Sequence, residues 1–308
     1  MQTAAVIAAA GMSSRMGDFK PMMNIGNISA AQRIVATLHQ AGVRLIVMVT
    51  GCNAAALERH LANNELIFLR NENYETTQMF DSAKIGLSYV KDKCDRVIFT
   101  PVDIPLFTSD TVTALIESGE ELACPVCDGD RGHPVMIASR LLDTILADGG
   151  EDGLRGAISR CGTELHEIEV PDRGILYDAD TPEDYQALLH YNNEHLVRPV
   201  VNVSLARELP FFDTKIAMLL SLVDETHSVR TACQRINISY STGWNIIRTL
   251  ESQLSRGLIE RSQGGAGGGQ SSLTPEGRHF LQLFLDFENE VRDDAAKIYE
   301  KYFKDVFK

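Results

Sequence analysis

The 308-residue sequence predicts an α/β protein in two parts: a three-layer, Rossmann-like domain over residues 1–195 and a small winged helix-turn-helix domain over 199–308. Three observations predict this. Short β-branched runs alternate with amphipathic stretches through the first part, the pattern of a mostly parallel sheet covered by helices. After "NNEHLVRPVVN" (192–202) the periodicity changes to short helices. A glycine run, "GGAGGGQSS" (264–272), then sits between two strand-like segments and ahead of a long final helix.

Composition narrows the function classes. With 44% hydrophobic and 23% charged residues, the chain reads as globular rather than disordered. No apolar run is long enough to span a bilayer, and the start lacks the basic region of a signal peptide. Six irregularly spaced cysteines suggest reduced thiols, so a cytoplasmic protein without a membrane partner is expected. Residues 213–308 hold 12 Lys+Arg and 13 Asp+Glu, leaving 17 and 29 for the first 212. The front therefore carries about −12 of the net −13, and the two parts are expected to do different things.

Strands are expected at 4–10, 45–50, 66–70, 96–100 and 134–138, with helices over Ala30–Ala41 and Phe80–Val90. Ligands in such sheets sit at the carboxyl ends of the strands. After the first strand comes "AAAGMSSRMGDFKP" (8–21). Small residues let a nucleotide approach Ala8, Ala9, Ala10, Gly11, Met12 and Ser13, and amides there can point at phosphates. Gly11 and Gly17 permit turns that other residues resist. Arg15 and Lys20 place positive charge where pyrophosphate would leave, which makes them catalytic candidates. Asp103 follows the strand "RVIFT" and suits a Mg²⁺ bridging phosphates, or alternatively a helix cap. Asp178 and Asp180 precede "TPED"; one would complete the metal site and the other would cap a helix. Gly132 and His133, on a turn into a strand, either contact the acceptor or serve structure. Cys124 and Cys127 have C-x-x-C spacing without further ligands; a redox pair normally opens a helix, whereas this one is expected in or beside a strand and reads as structural.

In the back part, Ile216, Leu219, Leu220 and Val223 mark one helix, and Val229, Ala232, Cys233 and Ile236 a second. A turn "NISY" leads to a third from about Ser241, with Trp244, Ile247, Leu250 and Leu254 inward. Ser241, Thr242, Asn245, Arg248 and Thr249 face out, as a major-groove reader of double-stranded DNA requires; a protein-interaction domain would also show a polar face. "GLIERSQ" and "QSSLT" form a β-wing whose tip is the glycine run. The run is no P-loop, since it neither follows a strand into a helix nor carries the Lys. Phe280, Phe284, Phe287, Val291 and Ile298 make a near-heptad stripe on the last helix, which fits a dimer contact.

The front motifs resemble the nucleotidyltransferases that attach a nucleotide to the molybdenum cofactor. "AAAGMSSRMGDFKPMMNIGN", "TPVDIPL", "RGHPVMI", "GGEDGLRG" and "YDADTPEDY" occur in that family's order over about Thr3–Leu189. The resemblance implies a Mg²⁺-dependent attack of a molybdopterin phosphate on a nucleoside triphosphate, with loss of pyrophosphate. Ala-Ala-Gly in the first loop, where GTP users have Ala-Gly-Gly, points to CTP. From about Pro199 to Phe287 the chain resembles the winged-helix domain of molybdate-responsive transcription regulators, through "SVRTACQRINISYSTGWNIIRTLESQL" and "IERSQGGAGGGQSSLTPEGRHFL". That resemblance implies a homodimer on operator DNA, with Arg235, Arg248, Arg256, Arg261 and Arg278 facing phosphates or bases unless one pairs with Glu251 or Glu260. Gly243 inside the recognition helix departs from the pattern, at a helix-propensity cost of about 1 kcal/mol. Two other readings stay open: a non-catalytic sensor and regulator, and a transferase acting on another phosphorylated acceptor.

Overall fold

The structure is a computed structural model describing residues 2–11, 19–25, 28–62, 64–178, 186, 201–262 and 270–303. The chain divides into two compact units, Met1–Leu196 and Val197–Lys308.

The front unit runs β1 (Thr3–Ala9), β2 (Asn24–Ile25), β3 (Ile28–Ser29), α1 (Ala30–Gln40), β4 (Leu45–Thr50), α2 (Ala54–His60), β5 (Ile67–Arg70) and α3 (Met79–Val90). It continues through β6 (Arg96–Pro101), α4 (Ser109–Glu117), β7 (Leu122–Cys127), β8 (Asp130–Arg131), β9 (Val135–Ala138), α5 (Leu142–Ala147), α6 (Gly153–Arg160) and β10 (His166–Glu169). The main sheet has the order β10-β7-β9-β6-β1-β4-β5, with β8 on β7. Its pairs are parallel from β5 through β4 and β1 to β6, while β9 runs antiparallel between β6 and β7.

Side-chain alternation on β1 produces the three layers. Ala5, Ile7 and Ala9 join Ile34, Val35 and Leu38 of α1, Leu57 of α2 and Val112 and Leu115 of α4 in one buried cluster. Val6 points to the other face, against α3 at Gly86. Helix starts follow their caps. Ser29 and Gln32 form a reciprocal capping box on α1, and Gln78 with Asp81 forms one on α3.

Three strands of the main sheet, β7, β8 and β10, fall outside the five expected from the sequence, although the Cys124–Cys127 end of β7 was expected in or beside a strand. β7 is "LACPVC", fully buried, and its Pro125 argues against a strand interior. The proline falls where β7 changes partner from β9 to β8, so the antiparallel ladder lacks little by its missing amide. Cys124 and Cys127 are thus buried free thiols within a strand, both with pKa raised by burial. β10, "HEIE", pairs only with β7 among the described residues, and its alternation between exposed and half-buried positions gave no apolar run to read.

The back unit opens on a hairpin, β11 (Ser204–Ala206) and β12 (Pro210–Asp213), which also went unpredicted. Then come α7 (Thr214–Thr226), α8 (Val229–Arg235), α9 (Tyr240–Leu254), the wing strands β13 (Ile259–Ser262) and β14 (Gln270–Leu273), and α10 (Pro275–Phe303). Asp213, Ser228 and Ser239 cap the three short helices, each accepting from the amide three residues on. No helix among the described residues is long and apolar enough to cross a membrane.

Three sequence readings of this unit are corrected. The inward face of α9 is Gly243, Ile247 and Leu250, whereas Trp244 is half-buried. Gly243 is accordingly no mere cost: a Cβ there would lie 2.3 Å from Cys233 Sγ, so its missing side chain lets α9 seat on α8. The aromatic stripe of α10 also divides. Phe280 and Phe284 pack edge-on against Phe212 of β12, at 4.9 and 4.7 Å, while Phe287 and Ile298 are exposed beside Leu283 and Tyr302. The first pair faces the unit's own core, and the helix turns the second group away from it.

Gly243→Ala should destabilise the back unit by about 1–3 kcal/mol through overpacking, despite alanine's better helix propensity. Adding Cys233→Ala should restore part of the loss, measured by urea unfolding of the two variants. Additive losses would contradict the contact.

Candidate nucleotide site and nucleic-acid interface

β1 is followed by β4 and β5 on one side and by β6 on the other, so the strand order reverses around its carboxyl end. That is where an open α/β sheet leaves a crevice. Ala8 lies opposite Pro101, and the Val102 amide donates to the Ala8 carbonyl at 3.0 Å before the chain leaves toward Asp103. On the other side the Cys52 amide donates to the Ala10 carbonyl at 3.3 Å. The resulting cleft is lined by Ala8, Ala9, Ala10, Gly11, Lys20, Pro21, Val102 and Asp103, with Tyr74, Thr77 and Gln78 on another wall.

The structure therefore brings together the first loop, Lys20 and Asp103. Lys20 Nζ stands 3.9 Å from Asp103 Oδ2, an ion pair longer than a hydrogen bond. The lysine side chain is only 11% exposed and the carboxylate 32%, so the charges meet solvent mainly through the cleft. Gly11 is exposed, with open space where a Cβ would lie and no left-handed φ, so its own backbone conformation does not require glycine. Met12, Ser13, Arg15, Gly17 and Asp180 lie outside the described residues.

Two buried residues that sequence reasoning missed shape this site. Asn71 receives β5: its amide donates to the Thr50 carbonyl, and its Nδ2 donates to Thr77 Oγ1 at 2.8 Å and Ser82 Oγ at 2.9 Å. Its Oδ1 accepts from the Asn73 amide, so one side chain sets the wall that carries Tyr74 and Thr77. The only sequence signal was an Asn directly after a strand. Asp172, 3% exposed, accepts from the Thr108 amide, the Thr108 and Thr111 hydroxyls and the Gly174 amide. It ties the end of the Asp103 loop to the segment leading to Asp178. Gly174 sits so close to this loop that a Cβ would lie 2.2 Å from the Leu106 carbonyl oxygen.

The same segment holds the predicted acceptor turn. The His133 amide donates to the Ile175 carbonyl at 3.1 Å, and the Gly132 amide to the Pro125 carbonyl at 2.9 Å. Neither Gly132 nor His133 lines the cleft. His133 Nδ1 is shut off from solvent and makes no hydrogen bond among the described residues. Burial pushes the imidazole pKa down to about 4, against a smaller opposing contribution from the Phe99 backbone. Asp178 is exposed, beyond Ile175.

In the back unit, Ser241, Thr242, Asn245, Arg248 and Thr249 are exposed along α9. Ser241 and Thr242 have their hydroxyls tied to Ser239 Oγ, at 2.8 and 2.7 Å. Arg261 sits on β13 opposite Ser271, and its side chain is outside the description. Arg256 is exposed. Two arginines expected at DNA are instead engaged within the fold. Arg235 pairs with Glu225 at 2.6 Å, and Arg278 makes a bidentate pair with Asp224 at 2.7 Å. Glu251, offered as a partner for an arginine, accepts the Leu258 and Ile259 amides and so fixes the start of the wing. Glu260 accepts from the Ser272 hydroxyl across the wing.

The His133 shift carries a pH signature. Its ordinary pKa of 6.5 falls to about 4 in the fold, so between those values the unfolded chain binds the extra proton. Stability should therefore fall as pH drops from about 6.5 towards about 4 and be insensitive to this group above that window. Denaturation midpoints of the protein and of His133→Gln across pH 4–8 test this; equal slopes would refute it.

Comparison with known proteins bears on both units. Residues 5–167 match the MobA-like NTP transferase domain, and residues 217–278 match bacterial regulatory helix-turn-helix proteins of the lysR family. The molybdenum cofactor cytidylyltransferase of Escherichia coli is 26% identical over 184 residues, covering 58% of this chain and 92% of the relative. The transcriptional regulator ModE of Haemophilus influenzae is 31% identical over 74 residues, 24% of this chain, and the chain spans 29% of that relative's length. A nucleotidyl transferase from Methanothermobacter shares the fold, with a TM-score of 0.56 at 20% identity over 62% of this chain and 98% of that one. The chain belongs to the MobA-like NTP transferase family: it is a nucleotidyltransferase domain followed by a helix-turn-helix unit similar to bacterial transcription regulators.

Proposed function

We propose that the front unit transfers CMP from CTP to the phosphate of a molybdopterin-type cofactor, releasing pyrophosphate, and that the back unit binds double-stranded DNA as a regulator. The observation that carries the first part is the opposed pair Lys20 and Asp103 at the carboxyl ends of β6 and β1's loop, in a cleft floored by Ala8–Gly11. An acceptor phosphate oxygen forms the new bond to the α-phosphorus, and the bond from that phosphorus to the bridging oxygen breaks. Lys20, with Arg15, neutralises the charge that grows on the departing pyrophosphate. The alanine floor admits the phosphates against backbone amides, and the protein contributes alignment rather than a covalent nucleophile.

The donor set is suited to Mg²⁺. Asp103 offers hard oxygen at a half-exposed position, and among the described residues no group of three or more His, Cys, Asp or Glu could hold a metal by itself. Magnesium is usually held by one or two carboxylates plus substrate phosphates, which matches a cation arriving with the nucleotide. Asp103, with Asp178 or Asp180, would hold it, and it would supply charge neutralisation across the phosphates. Gly132 and His133, outside the cleft lining and with their amides given to Pro125 and Ile175, serve structure in this reading rather than contacting the acceptor. CTP and the molybdenum cofactor are supported by the Escherichia coli relative and by Ala9-Ala10-Gly11 in the first loop.

For the back unit, support comes from the capped α8–α9 pair, the exposed Asn245 and Arg248, and the ModE relatives. Leu283, Phe287, Ile298 and Tyr302 along α10 fit a homodimer contact.

With Mg²⁺ and molybdenum-loaded molybdopterin, pyrophosphate release should occur with CTP and not with GTP. Asp103→Ala should lower turnover at least about a hundredfold while leaving DNA affinity unchanged. Release with neither nucleotide, despite nucleotide binding, would remove the molybdopterin reading in favour of a sensor or a transferase with a different acceptor. Leu283→Glu with Phe287→Glu should convert a dimer to monomer in analytical ultracentrifugation.

A further inference from the structure

The first turn of α9 carries a feature that the polar reading face leaves unused. Tyr240 is 46% exposed, the first residue of the helix after the Ser239 cap. Its ring is held on two sides. Trp244, one turn on, meets it edge-to-face with centroids 6.3 Å apart, and the Arg230 guanidinium of α8 stands 5.0 Å from its centroid. Arg230 is exposed and makes no ion pair among the described residues, unlike Arg235 and Arg278. Cation–π and aromatic contacts of this kind fix a ring that would otherwise rotate freely at a surface. Meanwhile the hydroxyls of Ser241 and Thr242, the polar groups of the same turn, are engaged with Ser239. What that turn presents outward is therefore a pre-positioned aromatic face rather than free hydroxyls.

We propose that Tyr240 is a base-reading residue whose ring, braced by Trp244 and Arg230, packs on a thymine methyl in the major groove beside α9. Apolar side-chain contact is how the groove's one apolar mark is read, and the N-terminal turn of a recognition helix is the part that reaches base edges. Arg230 and Trp244 act as positioning residues. The proposal rests on the DNA-binding reading of the back unit.

The test uses the full chain. A binding duplex is selected from a random pool, and each thymine in the bound site is replaced in turn by deoxyuridine, which lacks only the methyl group. The wild-type protein should lose about fourfold in affinity at one thymine per half-site, the worth of one buried methyl-sized group. Tyr240→Phe should keep that discrimination, whereas Tyr240→Ala should bind the parent duplex more weakly and treat the two bases alike. Wild-type indifference to every deoxyuridine overturns the proposal, as does discrimination that survives in Tyr240→Ala. If the wild-type chain selects no duplex at all, the DNA reading itself fails and the proposal with it. A Tyr240→Ala protein that retains wild-type affinity for unrelated DNA shows that the variant is folded.

Discussion

The front unit depends on β1 being hydrogen-bonded along both edges and buried on both faces. Its parallel registers with β4 and β6 fix where each neighbour ends relative to Ala8–Gly11. Because both neighbours run parallel, their carboxyl ends open on one side of the sheet, and the loops that follow must diverge there. Asp103 and Lys20 face each other in that gap, and the alanines leave the backbone accessible between them. A one-residue slip of β1 would reverse its faces, moving Ile7 out of the α1–α4 core and Val6 into it.

A second tier of buried polar groups turns that opening into a shaped cleft. Asn71 and Asp172 are 4% and 3% exposed, and each satisfies several donors or acceptors on segments far apart in sequence. A buried carboxylate costs several kcal/mol to desolvate unless its oxygens are occupied. Asp172 is occupied by two amides and two hydroxyls, which makes its geometry demanding: losing one partner would strand charge in the interior. The Asp103 loop, the Gly132–His133 turn and the approach to Asp178 are thereby linked through residues 172–175.

The back unit solves a different problem, seating the α8–α9 pair on a small helical core that includes Leu219, Leu220, Val223, Ile247, Leu250 and Phe284. Three N-caps set the starts of α7, α8 and α9, and the absent side chain of Gly243 lets α9 rest on Cys233. Arg278 and Asp224 bind α10 to α7, and Glu251 anchors the first wing strand. Ion pairing of Arg235 with Glu225 and of Arg278 with Asp224 neutralises part of the positive charge, while Arg230, Arg248 and Arg256 are exposed without an ion pair among the described residues.

By itself, the sequence determined the two-part architecture, because strand–helix alternation and the later helical periodicity are local patterns that each segment states for itself. It also pointed to the cleft, since Ala8–Gly11, Lys20 and Asp103 follow strands that any parallel sheet would align at one edge. Tertiary structure decided what depends on partners distant in the chain. Pro125 hides a strand from any propensity reading, yet β7 forms because β9, β8 and β10 supply its ladders. Ile247 and Leu250 face inward as their spacing implies, but Gly243 joins them and Trp244 is only half-buried, because the missing side chain of Gly243 lets α9 seat on Cys233, a close approach invisible to hydrophobic spacing. Arg278 and Asp224 are 54 residues apart, and Asp172 and Thr111 are 61 apart. Such pairs carry no local signature, because only the fold brings their members within hydrogen-bonding reach.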